Sequence, residues 1–120
     1  MSAPLESAPL QPMIDRRVAL SRVGGDMELL KEIAVLFLDT YPEVLKEIRS
    51  ATERGDAQML EQSAHGLKGS VANFGAAAAV EAALVLENMG RNRQLKEATQ
   101  GLRNLELALS ALRPELEALD

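Results

Sequence analysis

The stretch "AHGLKGSVANFGA", Ala64 to Ala76, holds the only histidine among 120 residues, with Lys68 three positions after His65 and Gly69 four. On a helix these three share one face, one turn apart. An imidazole, an ammonium and a patch of bare backbone together suit transfer of a phosphoryl group to a ring nitrogen. Neutral imidazole is the nucleophile, and its ordinary pKa of about 6.5 leaves most of it neutral near pH 7. Once the phosphoryl group is attached, Lys68 supplies charge and hydrogen bonds to it, and glycine lets a second protein's active site come close. A glycine inside a helix costs roughly 1 kcal/mol relative to alanine, so Gly66 and Gly69 need a reason. For Gly69, on the His65 face, a partner's approach is the stronger reason; for Gly66, close helix packing serves equally well.

Other chemistries find no support. A metal site would need carboxylates around one imidazole; Glu61, four positions before His65, stands alone, and no Glu-x-x-His or His-x-x-x-His spacing occurs. There is no P-loop for ATP and no serine triad set. Cysteine is absent, which excludes thiol catalysis, disulfides and Zn–thiolate sites. With 13 Lys+Arg against 18 Asp+Glu the net charge is -5, which repels phosphate backbones, and aromatics at 2% leave almost nothing to stack on bases. Nucleic acid is therefore not an expected partner. No apolar run approaches the roughly 20 residues of a membrane span, and a cytoplasmic protein is expected.

The elements that must position His65 are helical. Residues 1–13, broken by Pro4, Pro9 and Pro12, read as a flexible tail or linker, and residues 14–120 as one domain. After the tail, Ala, Leu, Glu, Lys and Arg dominate, and the fold is expected to be all-α. Asp15 caps a short helix stopped by Gly24 and Gly25. Asp26 caps a second, running to about Thr40 with Leu30, Ile33, Ala34, Phe37 and Tyr41 in one stripe. Thr40 and Pro42 are read as the cap and first turn of a third, ended by Gly55. Asp56 starts the histidine helix almost at once, and it runs from Ala57 to about Phe74, with Leu60, Ala64, Leu67, Val71 and Phe74 as its inward seam. A nearly all-apolar helix spans Ala76 to Met89 and is ended by Gly90. From Gln94 a heptad helix carries Leu95, Leu102, Leu109 and Leu116 with Ala98, Leu105, Leu112 and Leu119. Pro114 predicts a kink or a break near Arg113.

Short connections force antiparallel neighbours, so the expected architecture is an up-down-up-down four-helix bundle with one or two extra N-terminal helices. His65 then sits at the flank of its seam, with Gln62, Gly66, Gly69, Ala72 and Asn73 around it as a small, neutral docking surface. Glu61 is also near and could orient the imidazole or simply be solvated, and is read as solvated.

These residues resemble the signature of the histidine-containing phosphotransfer (HPt) domain family. "AHGLKGSVANFGA" is similar to its His-x-x-Lys-Gly core with the small-residue stretch and Gly-Ala that follow. The Gly-Gly-Asp at Gly24 to Asp26, the Phe-containing helix, the Gly-Asp turn at Gly55 and Asp56, and "LENMGR" extend the likeness over about residues 15 to 112. The resemblance implies that His65 is the phosphorylated residue, Lys68 the cation supporting the phosphoryl group and Gly69 the opening for the partner. It implies relay between aspartates of receiver domains, in a hybrid kinase or a response regulator, with no cofactor of the chain's own and Mg²⁺ held by the partner; a monomer is expected. The run Ala76 to Ala79 departs from the family, where a larger aliphatic residue is usual near its last position. A rival of another class is a helical interaction module that regulates a signalling partner by binding alone.

Overall fold

The structure, a computed structural model, describes residues 12–119. All regular structure among them is helical: α1 (Arg16–Arg22), α2 (Met27–Arg54), α3 (Ala57–Ala72), α4 (Ala77–Arg91) and α5 (Ala98–Glu117). Three aspartates start helices as the sequence predicts. Asp15, Asp26 and Asp56 accept hydrogen bonds from the N–H groups of Val18, Leu29 and Met59 at 3.2, 3.1 and 3.0 Å, which satisfies donors that have no partner within the first helical turn. Neighbour contacts run α2 to α3, α3 to α4, α4 to α5 and α5 back to α2. This ring is the expected four-helix bundle, with α1 as one extra N-terminal helix lying against α2.

Three expectations about helix boundaries are corrected here. The predicted break at Thr40 and Pro42 does not occur; α2 continues through Pro42 for 28 residues. Leu30, Ala34, Phe37, Tyr41, Ile48 and Ala51 are all buried, so the inward stripe keeps one phase across the proline. Burying Phe37, Tyr41 and Ile48 contributes roughly 1.5–3 kcal/mol each, which outweighs the roughly 3 kcal/mol of an interior proline. Pro114 likewise lies inside α5, which runs on to Glu117 with Leu112 and Leu116 buried on either side. That helix starts at Ala98 rather than Gln94, because residues 92–97 turn the corner from α4, with Arg93 in the left-handed region at φ 55°.

The three aromatic residues form one cluster in the core. Phe37 stacks on Tyr41 with centroids 5.1 Å apart and meets Phe74 edge-on at 5.6 Å. Phe74 ends the histidine helix's seam, so this cluster fixes where that helix stops. The chain before α1 is strapped over the same place: Asp15 N–H donates to the Phe74 carbonyl at 2.9 Å. Gly75 sits beneath the strap at φ +61°, where a Cβ would lie 2.7 Å from the Asp15 Cβ, so only glycine fits. The Glu115 carboxylate, from α5, accepts the N–H groups of Met13 and Ile14 at 2.9 Å each. Met13 ends the segment read as a tail; residues 1–11 of it lie outside the described residues.

Candidate functional site

Leu60, Ala64, Leu67 and Val71 bury one side of α3 and turn the side carrying His65 outward, against the edge of α4. The His65 side chain is 68% exposed and the Lys68 side chain 27%. Both reach one group that the sequence reading did not single out. Glu87 of α4 is 2% exposed; its Oε2 lies 2.8 Å from His65 Nδ1, and its Oε1 lies 2.7 Å from Lys68 Nζ. Arg91, one turn further along α4, donates from Nη2 to the same Oε2 at 2.8 Å. Arg91 Nε also donates to Glu61 at 3.2 Å and Nη1 to Asn88 at 3.3 Å. Glu61 is thus paired across the helix interface, and is neither merely solvated nor in contact with the imidazole.

Burial pushes the Glu87 carboxyl up, but the hydrogen bonds from Lys68 and His65, with the charge behind them, outweigh it and hold the group below the usual carboxylate range. Glu87 is therefore an ionised, acceptor-only group near neutral pH. An acceptor at Nδ1 requires a ring hydrogen to be there, so in the neutral ring the lone pair is on Nε2, on an exposed side chain. The tautomer of the neutral ring is set from α4, by Glu87.

Glu87 was legible in principle. It falls in phase with the buried Ala79, Ala83, Leu86 and Gly90 of α4, and a carboxylate on an otherwise apolar inward stripe is rarely left without a partner. The stripe also explains Gly90, which lies within α4 rather than ending it. A Cβ there would stand 2.6 Å from the Ala57 carbonyl oxygen and 2.6 Å from the Glu61 nitrogen. Bare backbone at Gly90 is what lets α4 come close enough to place Glu87 under His65. The helix itself is less enclosed than its composition predicts, since Ala77, Ala78 and Val85 are exposed.

Gly66 and Gly69 are of the opposite kind. A Cβ at either would meet nothing within 4 Å, which removes helix packing as the reason for Gly66. Gln62 and Gly66 are exposed and line a shallow groove between α2 and α3 with Val44, Glu47, Met59 and Ser70. Ala72 and Asn73 are half-buried at the end of α3, where Asn73 is the C-cap. The expected docking residues, small or neutral, thus lie on one side of His65, and Lys68, Glu87 and Arg91 lie on the other. Among the described residues no group of three or more His, Cys, Asp or Glu could hold a metal ion, and no helix is long and apolar enough to cross a membrane.

Comparison with known proteins gives the family and the fold. The sequence model of the Hpt domain family matches residues 32–115. The structure is similar to that of histidine-containing phosphotransfer protein B (HptB) from Pseudomonas aeruginosa PAO1, with a TM-score of 0.81 and 26% sequence identity over 88% of this chain and 92% of that one. No curated protein gives a match. With the family matched over most of the chain and the bundle shared with a phosphotransfer protein, the chain belongs to the Hpt domain family and is a histidine phosphotransfer protein of a phosphorelay.

Proposed function

We propose that His65 accepts a phosphoryl group on Nε2 from the aspartyl phosphate of a receiver domain and passes it to the aspartate of another. The observation that carries this reading is the pairing of Nδ1 with the buried Glu87 carboxylate, which leaves Nε2 as the nucleophilic atom of a side chain 68% exposed.

In the forward step the Nε2 lone pair forms the N–P bond, the bond from phosphorus to the aspartyl oxygen breaks, and its electron pair leaves with the carboxylate. The ring gains a positive charge and keeps its Nδ1 hydrogen. Glu87 is placed to stabilise that charge as it develops, the part played by the aspartate of a Ser-His-Asp triad. Lys68, one turn from His65, screens the phosphoryl oxygens. In the reverse step Glu87 holds the same hydrogen while the phosphoryl group leaves. Gly69, Gly66, Gln62, Ala72 and Asn73 form the surface on which the receiver sits. The chain uses no cofactor of its own; Mg²⁺ is held by the receiver's carboxylates, which complete the reaction. The working unit is a cytoplasmic monomer, either free-standing or the bundle domain of a larger kinase.

Incubation with a phosphorylated receiver domain and Mg²⁺, followed by intact mass and acid-lability analysis, tests the reading. An acid-labile adduct in the wild type and none in His65→Gln is the expected result. Binding without an adduct would instead support a module that regulates its partner by docking alone.

A further inference from the structure

Glu87 has three partners and two oxygens. Lys68 takes Oε1, while His65 and Arg91 share Oε2. A carboxylate 2% exposed cannot exchange a lost counter-ion for water without a large desolvation cost. Yet Lys68, at i+3 from His65, is the cation on the nucleophile's own face, and its ammonium stands 2.7 Å from Glu87 in the resting protein. With three hydrogens on one nitrogen, Lys68 can face both groups, but the buried carboxylate pulls it back towards Oε1 and so competes with the phosphoryl oxygens for its position. We propose that Arg91 is a positioning residue of the phosphotransfer site: by holding Glu87 at Oε2 it lets Lys68 leave Oε1 and follow the phosphoryl group on His65. This deepens, and rests on, the assignment of His65 as phosphoryl acceptor.

Arg91 is built for that part. Its guanidinium is permanently charged and forked, and each of its three nitrogens has a separate partner: Nη2 on Glu87, Nε on Glu61 and Nη1 on Asn88. Two of those partners are independent of the imidazole, so the guanidinium stays in place when the ring changes charge. Gly90, the residue before Arg91, allows the approach to Glu61, whose nitrogen a Cβ at Gly90 would meet at 2.6 Å. No bond is made or broken in the exchange. Lys68 Nζ trades a carboxylate oxygen for a phosphoryl oxygen and keeps its hydrogens, and Glu87 retains one full counter-ion throughout.

The test is a double-mutant cycle in the full chain, with wild type, Arg91→Gln, Lys68→Gln and the double variant, and Arg91→Lys as the conservative control. The rate of transfer from a phosphorylated receiver is read first. Arg91→Gln should lower it about tenfold where Lys68 is present, the worth of one charge-assisted hydrogen bond, and by less than about twofold in the Lys68→Gln background. Arg91→Lys should recover part of the loss. The second readout is independent of any receiver: His65 is phosphorylated with phosphoramidate and the Lys68 ammonium followed by nitrogen-15 NMR. Its resonance should move on phosphorylation in the wild type and stay in Arg91→Gln. Equal losses in both backgrounds, or a Lys68 resonance that moves alike in both proteins, would overturn the proposal. A wild type that phosphoramidate labels but no receiver does would overturn the relay reading instead, and the NMR comparison would still decide the part of Arg91.

Discussion

Replacing Gly69 with alanine should make the protein more stable and less active. Gly69 lies inside α3, where glycine costs roughly 1 kcal/mol relative to alanine, and a Cβ there meets nothing within 4 Å. Nothing offsets the gain in helix propensity, so stability should rise by about 1 kcal/mol, or roughly 4 °C in Tm for a domain of this size. The added methyl stands one turn from His65, on the face where phosphorus must come within bonding reach of Nε2. A misplacement of about 1 Å costs on the order of 100-fold in such a reaction, so transfer from a phosphorylated receiver should fall by about 10- to 100-fold. Gly90→Ala provides the contrast. Its Cβ would stand 2.6 to 2.9 Å from backbone atoms of Ala57 and Glu61, against the roughly 3.5 Å of ordinary contact, so α3 and α4 must part by about 1 Å. Overpacking of this kind costs about 1–3 kcal/mol, which exceeds the propensity gain. Urea denaturation and single-turnover transfer on both variants suffice. If Gly69→Ala destabilises the fold, or stabilises it with transfer unchanged, the account of that open surface is wrong.

Two other perturbations have definite outcomes. Glu87→Gln keeps the side chain's shape and removes its charge, so transfer should fall about 10- to 100-fold, the worth of the charge-assisted hydrogen bond to Nδ1. Because Lys68 and His65 hold the Glu87 carboxyl below the usual carboxylate range, its ionised form contributes stability that is fully present above that range and is lost as pH falls through the folded value. The stability difference between wild type and Glu87→Gln should therefore shrink as pH is lowered from neutral through and below the ordinary carboxylate range, measured by urea denaturation; a difference that grows would contradict the sign. Glu115→Ala removes the acceptor of two backbone N–H groups and should cost about 1–3 kcal/mol. It should also speed proteolysis near Met13 while leaving transfer unchanged, since Glu115 lies at the far end of α5 from the site.

Much of the site was legible because helical spacing is a local property. His65, Lys68 and Gly69 share a face by their intervals alone, and three aspartates mark three helix starts by capping chemistry alone. What escaped depends on the other helix. Glu87 and Arg91 became part of the site only once α4 crossed α3 at Gly90, and no spacing within α3 encodes that crossing. Gly66 and Gly90 look alike in sequence, each a glycine in a helical pattern, but one faces open space and the other a backbone 2.6 Å from its missing Cβ. Pro42 misleads for a related reason. A local rule assigns proline to a first turn, whereas the stripe from Leu30 to Ala51 shares one phase, and the burial along it holds α2 together.

The most direct test of the central claim is where the phosphoryl group goes. The protein labelled with nitrogen-15 in its histidine ring, phosphorylated by a receiver and examined by phosphorus–nitrogen NMR, reports the atom bonded to phosphorus. A phosphoryl group on Nε2 of His65, with the Nδ1 hydrogen still held by Glu87, is the result the account predicts. Attachment at Nδ1, or a phosphoryl group on any other residue, would contradict it.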